Sequence, residues 1–234
     1  MSRHARVSPG GIVQHVINRG DHRETIFHKP ADFRAFLIAL AETACRVPMR
    51  ILAYCIMRNH FHLLLWPHED GDLSYFMQVL MNVHLRRYLK HYPPPSPGHV
   101  YQGRYSNSLV EHEHSLVFVA RYIEANALSA GLVERAEDYP WSSASPEASD
   151  PVRPVLAAWP IERPRPWLTY VNTPTPLDEW KRIQRSVRRG APIGSPAWVE
   201  SVAKTYGLDY TLNARGRKAV YEKFDPTGEL SSLD

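Results

Sequence analysis

Cysteine is scarce in this chain. Two residues in 234, Cys45 and Cys55, cannot build a disulfide framework, which points to a reducing compartment. Long apolar runs are absent too: no window approaches the roughly 18 uninterrupted apolar residues that a membrane helix needs. The opening stretch, MSRHARVSPGG, has no apolar core of the kind a secretory signal carries. A soluble, cytoplasmic protein with no membrane partner is the expectation. Strong charge of one sign is also lacking, since the net charge is only +4. The excess is unevenly placed: the first 150 residues balance 15 cations against 15 acids, whereas the remainder carries 13 against 9. A basic C-terminal third suits a nucleic-acid surface, although a solvated helix face reads the same way.

Proline, by contrast, is plentiful and marks the organisation of the chain. Nine prolines fall between Pro140 and Pro176, too many for helices or central strands, so this stretch is expected to run as an extended connector over what precedes it. The resulting division is a domain over 1–145, a connector over 146–176 and a basic helical extension over 177–234. In the extension, Leu177, Trp180, Ile183, Gln184 and Val187 follow helical spacing, with Lys181, Arg182, Arg185, Arg188 and Arg189 opposite and Gly190 as a stop. A second helix is capped by Ser195, enters through Pro196 and ends at Gly207. The pair fits either a helix-turn-helix-like appendage or a helical hairpin lying on the first domain.

Within residues 1–145 the hydrophobic period alternates between two and about 3.6. Strands are expected over 12–18, 49–57, 60–66 and 105–110, and helices over 30–46, 72–90 and 111–127. Arg58 and Asn59 make a short hairpin break. The order β-α-β-β-α-β, then helix, is that of an α+β, ferredoxin-like fold: an antiparallel sheet of four to five strands with helices on one face and the other face free for a site.

The segment RNHFHLLLW sharpens the question of what that site is. Residues two apart in a strand share a face, so if Leu63 and Leu65 point to the helices, His60 and His62 point away from them, side by side. Paired imidazoles suit metal or phosphate binding, though core histidines are common. In RYIEANALSAGLV, Tyr122 and Asn126 are four apart and share a helix face, while Glu124 points elsewhere. A phenol and an amide could thus reach one site, although tyrosines on helices are usually packing residues.

The runs AYCIMRNHFHLLLWP, YQGRYSNSLV, RYIEANALSAGLV and DYPWSS together resemble the REP-associated tyrosine transposases, within the one-tyrosine HUH superfamily of single-strand DNA transposases. The likeness spans roughly residues 10 to 145. The tail, with RRGAPIGSPAWVE, is similar to that of longer members. Arg58 and Ala127 depart from the pattern, since proline is more usual at both places.

What the resemblance implies is specific. Tyr122 would be the nucleophile, and His60, His62 and Asn126 the ligands of a divalent ion, Mg²⁺ with Mn²⁺ as a possible substitute. The substrate would be single-stranded DNA bearing a hairpin or inverted repeat, nicked and rejoined through a 5′-phosphotyrosine by a monomer or homodimer. Arg104, Arg121 and the basic helix residues Lys181, Arg182 and Arg185 are candidate phosphate contacts, and Tyr101 and Tyr105 candidate stacking platforms. A non-catalytic nucleic-acid-binding module of the same fold is the alternative, and a water-activating metal hydrolase a more distant one.

Overall fold

The computed structural model describes residues 7–93, 99–146 and 153–212. Four strands, β1 (Val13–Arg19), β2 (Met49–Met57), β3 (His60–Pro67) and β4 (Ser106–Val110), form one antiparallel sheet in the order β2-β3-β1-β4. This is the ferredoxin-like arrangement that the element order implies. The hairpin β2-β3 turns at Arg58 and Asn59, with Met57 opposite His60. One register shift, between Ile51 and Ala53, lets Leu52 and Ala53 both join the apolar cluster on the same face, as a bulge does.

Two helices, α1 (Pro30–Arg46) and α2 (Asp72–His91), cover one face. α1 begins with Pro30 at its first turn, and Asp32 accepts hydrogen bonds from the backbone N–H groups of His28 and Lys29 at 2.9 and 3.1 Å. Phe33, Phe36, Leu37 and Leu40 of α1 and Phe76, Met77 and Leu80 of α2 meet Val16, Phe61, Leu63 and Leu65 of the sheet. Every one of these side chains is at least nine-tenths buried, so this layer is the main hydrophobic core.

The opposite face is not open. α3 (His114–Glu124) lies across it, packing Leu116, Val119, Ala120 and Ile123 against Val13, Ala53, Cys55 and Leu64. The helix expected to run on to residue 127 breaks at Ala125 and resumes as the short α4 (Asn126–Ser129). The proline-rich stretch follows the sheet, with the Ala157 N–H donating to the Ile51 carbonyl at 2.8 Å. It also contains a helix, α5 (Trp167–Asn172), because the local run WLTYVN has no proline after Pro166. Glu124, fully buried, clamps it in place by accepting from Arg163 at 2.9 Å, Trp167 at 2.5 Å and Ser143 at 2.7 Å.

α6 (Leu177–Arg189) and α7 (Pro196–Tyr206) are followed by the short α8 (Asp209–Leu212). Gly190 and Gly207 take the left-handed conformation that closes α6 and α7. The helices lie on the sheet side and are not free-standing. Ile183 and Val187 join the α3 cluster, and Ile193 extends the edge of β4 by bonding the Leu109 carbonyl and the Glu111 N–H at 2.8 and 2.9 Å. No helix among the described residues is long and apolar enough to cross a membrane.

Candidate active site

The site forms between β1, β3 and α3. Leu63 and Leu65 enter the α1/α2 core while Leu64 joins the opposite cluster, so His60 and His62 face α3. Tyr122 meets them from above, its ring centroid 5.5 Å from that of His62 and edge-on to it. The His60 and His62 rings are themselves 5.1 Å apart and perpendicular. Asn126, one turn beyond Tyr122 and across the break at Ala125, is close enough to influence both the Tyr122 hydroxyl and the His60 ring. The four residues singled out from sequence are thus neighbours.

A third histidine completes the cluster. Ile17 is directly opposite His62 in the β1-β3 ladder, so His15, two residues away on the same face, is its diagonal neighbour. His15 Nε2 and His62 Nδ1 are 2.8 Å apart, and both side chains are almost wholly buried. The sequence reading missed His15. Its signal was the alternation His15, Ile17, Arg19 in β1, which puts a polar side chain on the site face of a central strand.

Burial dominates the electrostatics. It lowers the pKa of His15 and of His60 to about 4 and that of His62 well below the usual histidine value, with neighbouring imidazoles and Arg19 adding to the effect on His62. All three are therefore neutral at pH 7 and offer lone pairs. Asn59 Oδ1 lies 2.7 Å from His60 Nδ1, which fixes the proton there and leaves Nε2 as the donor atom. A proton on His62 Nδ1, given to His15, does the same for His62. Desolvation raises the Tyr122 pKa, opposed by hydrogen bonds from Asn126 and Gln184 and by the charge of Arg19. Gln184 belongs to α6, and its amide reaches the Tyr122 hydroxyl at 3.5 Å.

Among the described residues, no three His, Cys, Asp or Glu side chains converge as an ion site. An ion here would need an oxygen from Asn126 or a substrate. Two neutral imidazoles, His60 held by Asn59 and His62 paired with His15, and an adjacent amide are a donor set that fits a divalent ion completed by such oxygens.

The remaining candidates divide. Arg104 is exposed in a basic cleft, and Lys181 is exposed on α6. Arg121 is buried: it donates to the Thr173 and Pro174 carbonyls at 2.6 and 2.7 Å and pairs with Glu179 at 3.6 Å, so it holds the chain leading into α6 and is not offered to a phosphate. Tyr101 is packed in the α1/α2 core with its hydroxyl 2.5 Å from His84 Nδ1, and Tyr105 is buried at the edge of the same core, so neither presents a ring face as an open platform. Arg182 donates to the Gly194 carbonyl at 2.6 Å and Arg185 to that of Leu212, although both remain exposed.

Residues 11–126 match the family described as "Transposase IS200 like". Among solved structures, the chain is similar to a REP-associated tyrosine transposase bound to a REP hairpin, with 18% identity and a TM-score of 0.52, covering 68% of this chain and 92% of that one. At that identity the likeness is one of fold. A structure from Deinococcus radiodurans described as a transposase has 22% identity and a TM-score of 0.37, covering 53% of this chain and 96% of that one. No curated protein matches the chain.

Proposed function

The chain belongs to the IS200-like transposase family, whose activity is DNA transposition, and on that premise we propose that it nicks and rejoins single-stranded DNA through Tyr122. The observation that carries this reading is the meeting of His60 and His62 from β3, Tyr122 from α3 and Asn126 from α4 at one place. Packing alone gives no reason to gather three neutral histidines, a phenol and an amide there.

In the proposed reaction the Tyr122 oxygen forms a bond to phosphorus as the bond to the 3′-oxygen breaks. The phenol proton is lost and the 3′-oxygen leaves as a hydroxyl, giving a 5′-phosphotyrosine and a free 3′ end. Attack by a second 3′-hydroxyl reverses the step and joins new strands. Burial raises the Tyr122 pKa and keeps it protonated in the resting protein, while Asn126, the charge of Arg19 and Gln184 act the other way and would stabilise negative charge on the oxygen as the proton leaves. His60, His62 and Asn126 would hold Mg²⁺ or Mn²⁺, which when bound withdraws charge from the scissile phosphate. This donor set has no carboxylate, and the imidazoles favour Mn²⁺ more than an all-oxygen site would. His15 orients His62. The hairpin-bearing substrate of the similar REP-associated structure is the one we propose for this chain.

The test is incubation with labelled single-stranded hairpin DNA and Mg²⁺, followed by denaturing electrophoresis. A covalent protein-DNA adduct is expected from the wild type and none from Tyr122→Phe, which loses one oxygen and keeps the ring. Retention without cleavage would instead support a non-catalytic binding module.

A further inference from the structure

Two adjoining concavities lie along α6. One, of about 720 Å³, sits between the 102–107 segment and the C-terminal end of α6, lined by Arg19, Arg104, Arg188 and Arg189. The other, of about 290 Å³, is lined by Trp180, Lys181, Gln184 and Arg185 and shares Arg188 and Arg189 with the first. Among the described residues, no Asp or Glu lines either one. Four arginines with no acid among the described lining residues make a site for a polyanion. Trp180 adds a flat, 44% exposed ring at the far end.

We propose that α6 is a track for single-stranded nucleic acid, along which bases stack on Trp180 and phosphates pass Gln184 to the cleft of Arg104, Arg188 and Arg189. Three observations carry this. An exposed aromatic among cations is the combination that binds unpaired strands, since every base has a π-face and every phosphate a charge. The cleft has the volume of a small-ligand pocket, about 720 Å³, room for a few unpaired nucleotides. Gln184 lines the track and also reaches the Tyr122 hydroxyl, while Arg19 lines the cleft and acts electrostatically on Tyr122 and His60. The track therefore borders the site at two points.

The wall is firmly placed. Ser108 bonds the Ser186 carbonyl at 3.3 Å, and Ile193 bonds along β4, so the C-terminal end of α6 is fixed to the sheet edge. The inference deepens the function proposed above and rests on it only in delivering the strand to Tyr122. Binding itself does not.

The experiment measures fluorescence anisotropy of a labelled thymidine oligonucleotide without a hairpin, bound to the full chain over a range of NaCl concentrations. Trp180→Ala is expected to weaken binding at least 5-fold with an unchanged salt slope, because stacking is lost and no charge. The triple change Arg104→Gln, Arg188→Gln and Arg189→Gln is expected to flatten the slope by about 2, at roughly 0.7 per phosphate contact. A control on the far side that also removes three charges, Arg34→Gln with Arg46→Gln and Arg86→Gln, should leave both unchanged. The proposal is overturned if Trp180→Ala binds like the wild type, if the control moves the slope as much as the triple change, or if duplex binding falls by the same factor as single-strand binding. A chain that bound the oligonucleotide as expected but formed no adduct with hairpin DNA would refute the nuclease reading while supporting the track.

Discussion

Replacing His15 tests whether the buried histidine pair orients the site or merely fills it. His15→Ala removes the partner 2.8 Å from His62 Nδ1 and leaves that nitrogen buried without a bond. An unsatisfied buried polar group costs about 1–3 kcal/mol, and the space left by the imidazole adds a further ~1 kcal/mol. A loss of about 2–4 kcal/mol in urea unfolding is therefore expected. The effect on chemistry is separate: a ligand whose orienting partner is removed typically loses about 10–100-fold in affinity or activity. The adduct-forming rate should fall by that factor, and the Mn²⁺ concentration for half-maximal rate should rise. His15→Gln can place its amide oxygen near the position of Nε2, where it accepts from the His62 Nδ1–H, and should recover most of the rate even where stability is only partly restored. If His15→Ala forms adduct at the wild-type rate under conditions where it is folded, or if Gln is no better than Ala, His15 is a packing residue and the orienting role is wrong.

Two further outcomes follow from buried groups outside the histidine cluster. His84, in the α1/α2 core, has its pKa lowered by burial from 6.5 to about 4. The unfolded chain takes up a proton below pH 6.5 that the folded chain refuses, so stability should fall as pH drops from 6.5 towards 4, by on the order of 3 kcal/mol from this group. His84→Gln should show a correspondingly shallower dependence in urea titrations at pH 7, 5 and 4, and parallel profiles would refute the assignment. Arg121→Ala leaves Glu179 without its ion-pair partner and frees the chain at Thr173 and Pro174, so a loss of about 3–5 kcal/mol is expected, with a smaller one for Arg121→Met. A loss below about 1 kcal/mol by the same measurement would show that the pair is not structural.

The two faces of the sheet were legible from period alone. His60, His62 and Leu64 share one side of β3 because a strand alternates, and no packing detail can change that. The caps of α6 and α7 were legible for a similar reason: glycine tolerates the left-handed turn after a helix, and Ser195 with Pro196 suits a helix start. What covers a face is a different matter. Nothing in the β-strand pattern says whether the side bearing histidines is open or roofed, and here α3 roofs it, which is why His15 and His62 are buried. Tyr101 shows the limit from the other direction. Its motif suggested a surface platform, yet its ring fits the gap above Phe61 and its hydroxyl finds His84, a long-range pairing that no local pattern encodes.

Arg121 and Tyr122 carry this reasoning one step further. Consecutive helix residues do not face the same way, so an arginine next to a nucleophile in sequence is not next to it in space. Tyr122 points at the histidines, and Arg121 points instead at the chain entering α6. Both are nevertheless answered from that one segment: Glu179 pairs with Arg121, and Gln184 reaches the Tyr122 hydroxyl. The helix carrying the proposed nucleophile is thereby held between the sheet and α6. A shift of α6 would move the Gln184 amide away from the phenol and disturb the buried ion pair together. The C-terminal helices are thus coupled to the proposed chemistry, and a variant that loosens Arg121 should slow adduct formation as well as weaken the fold.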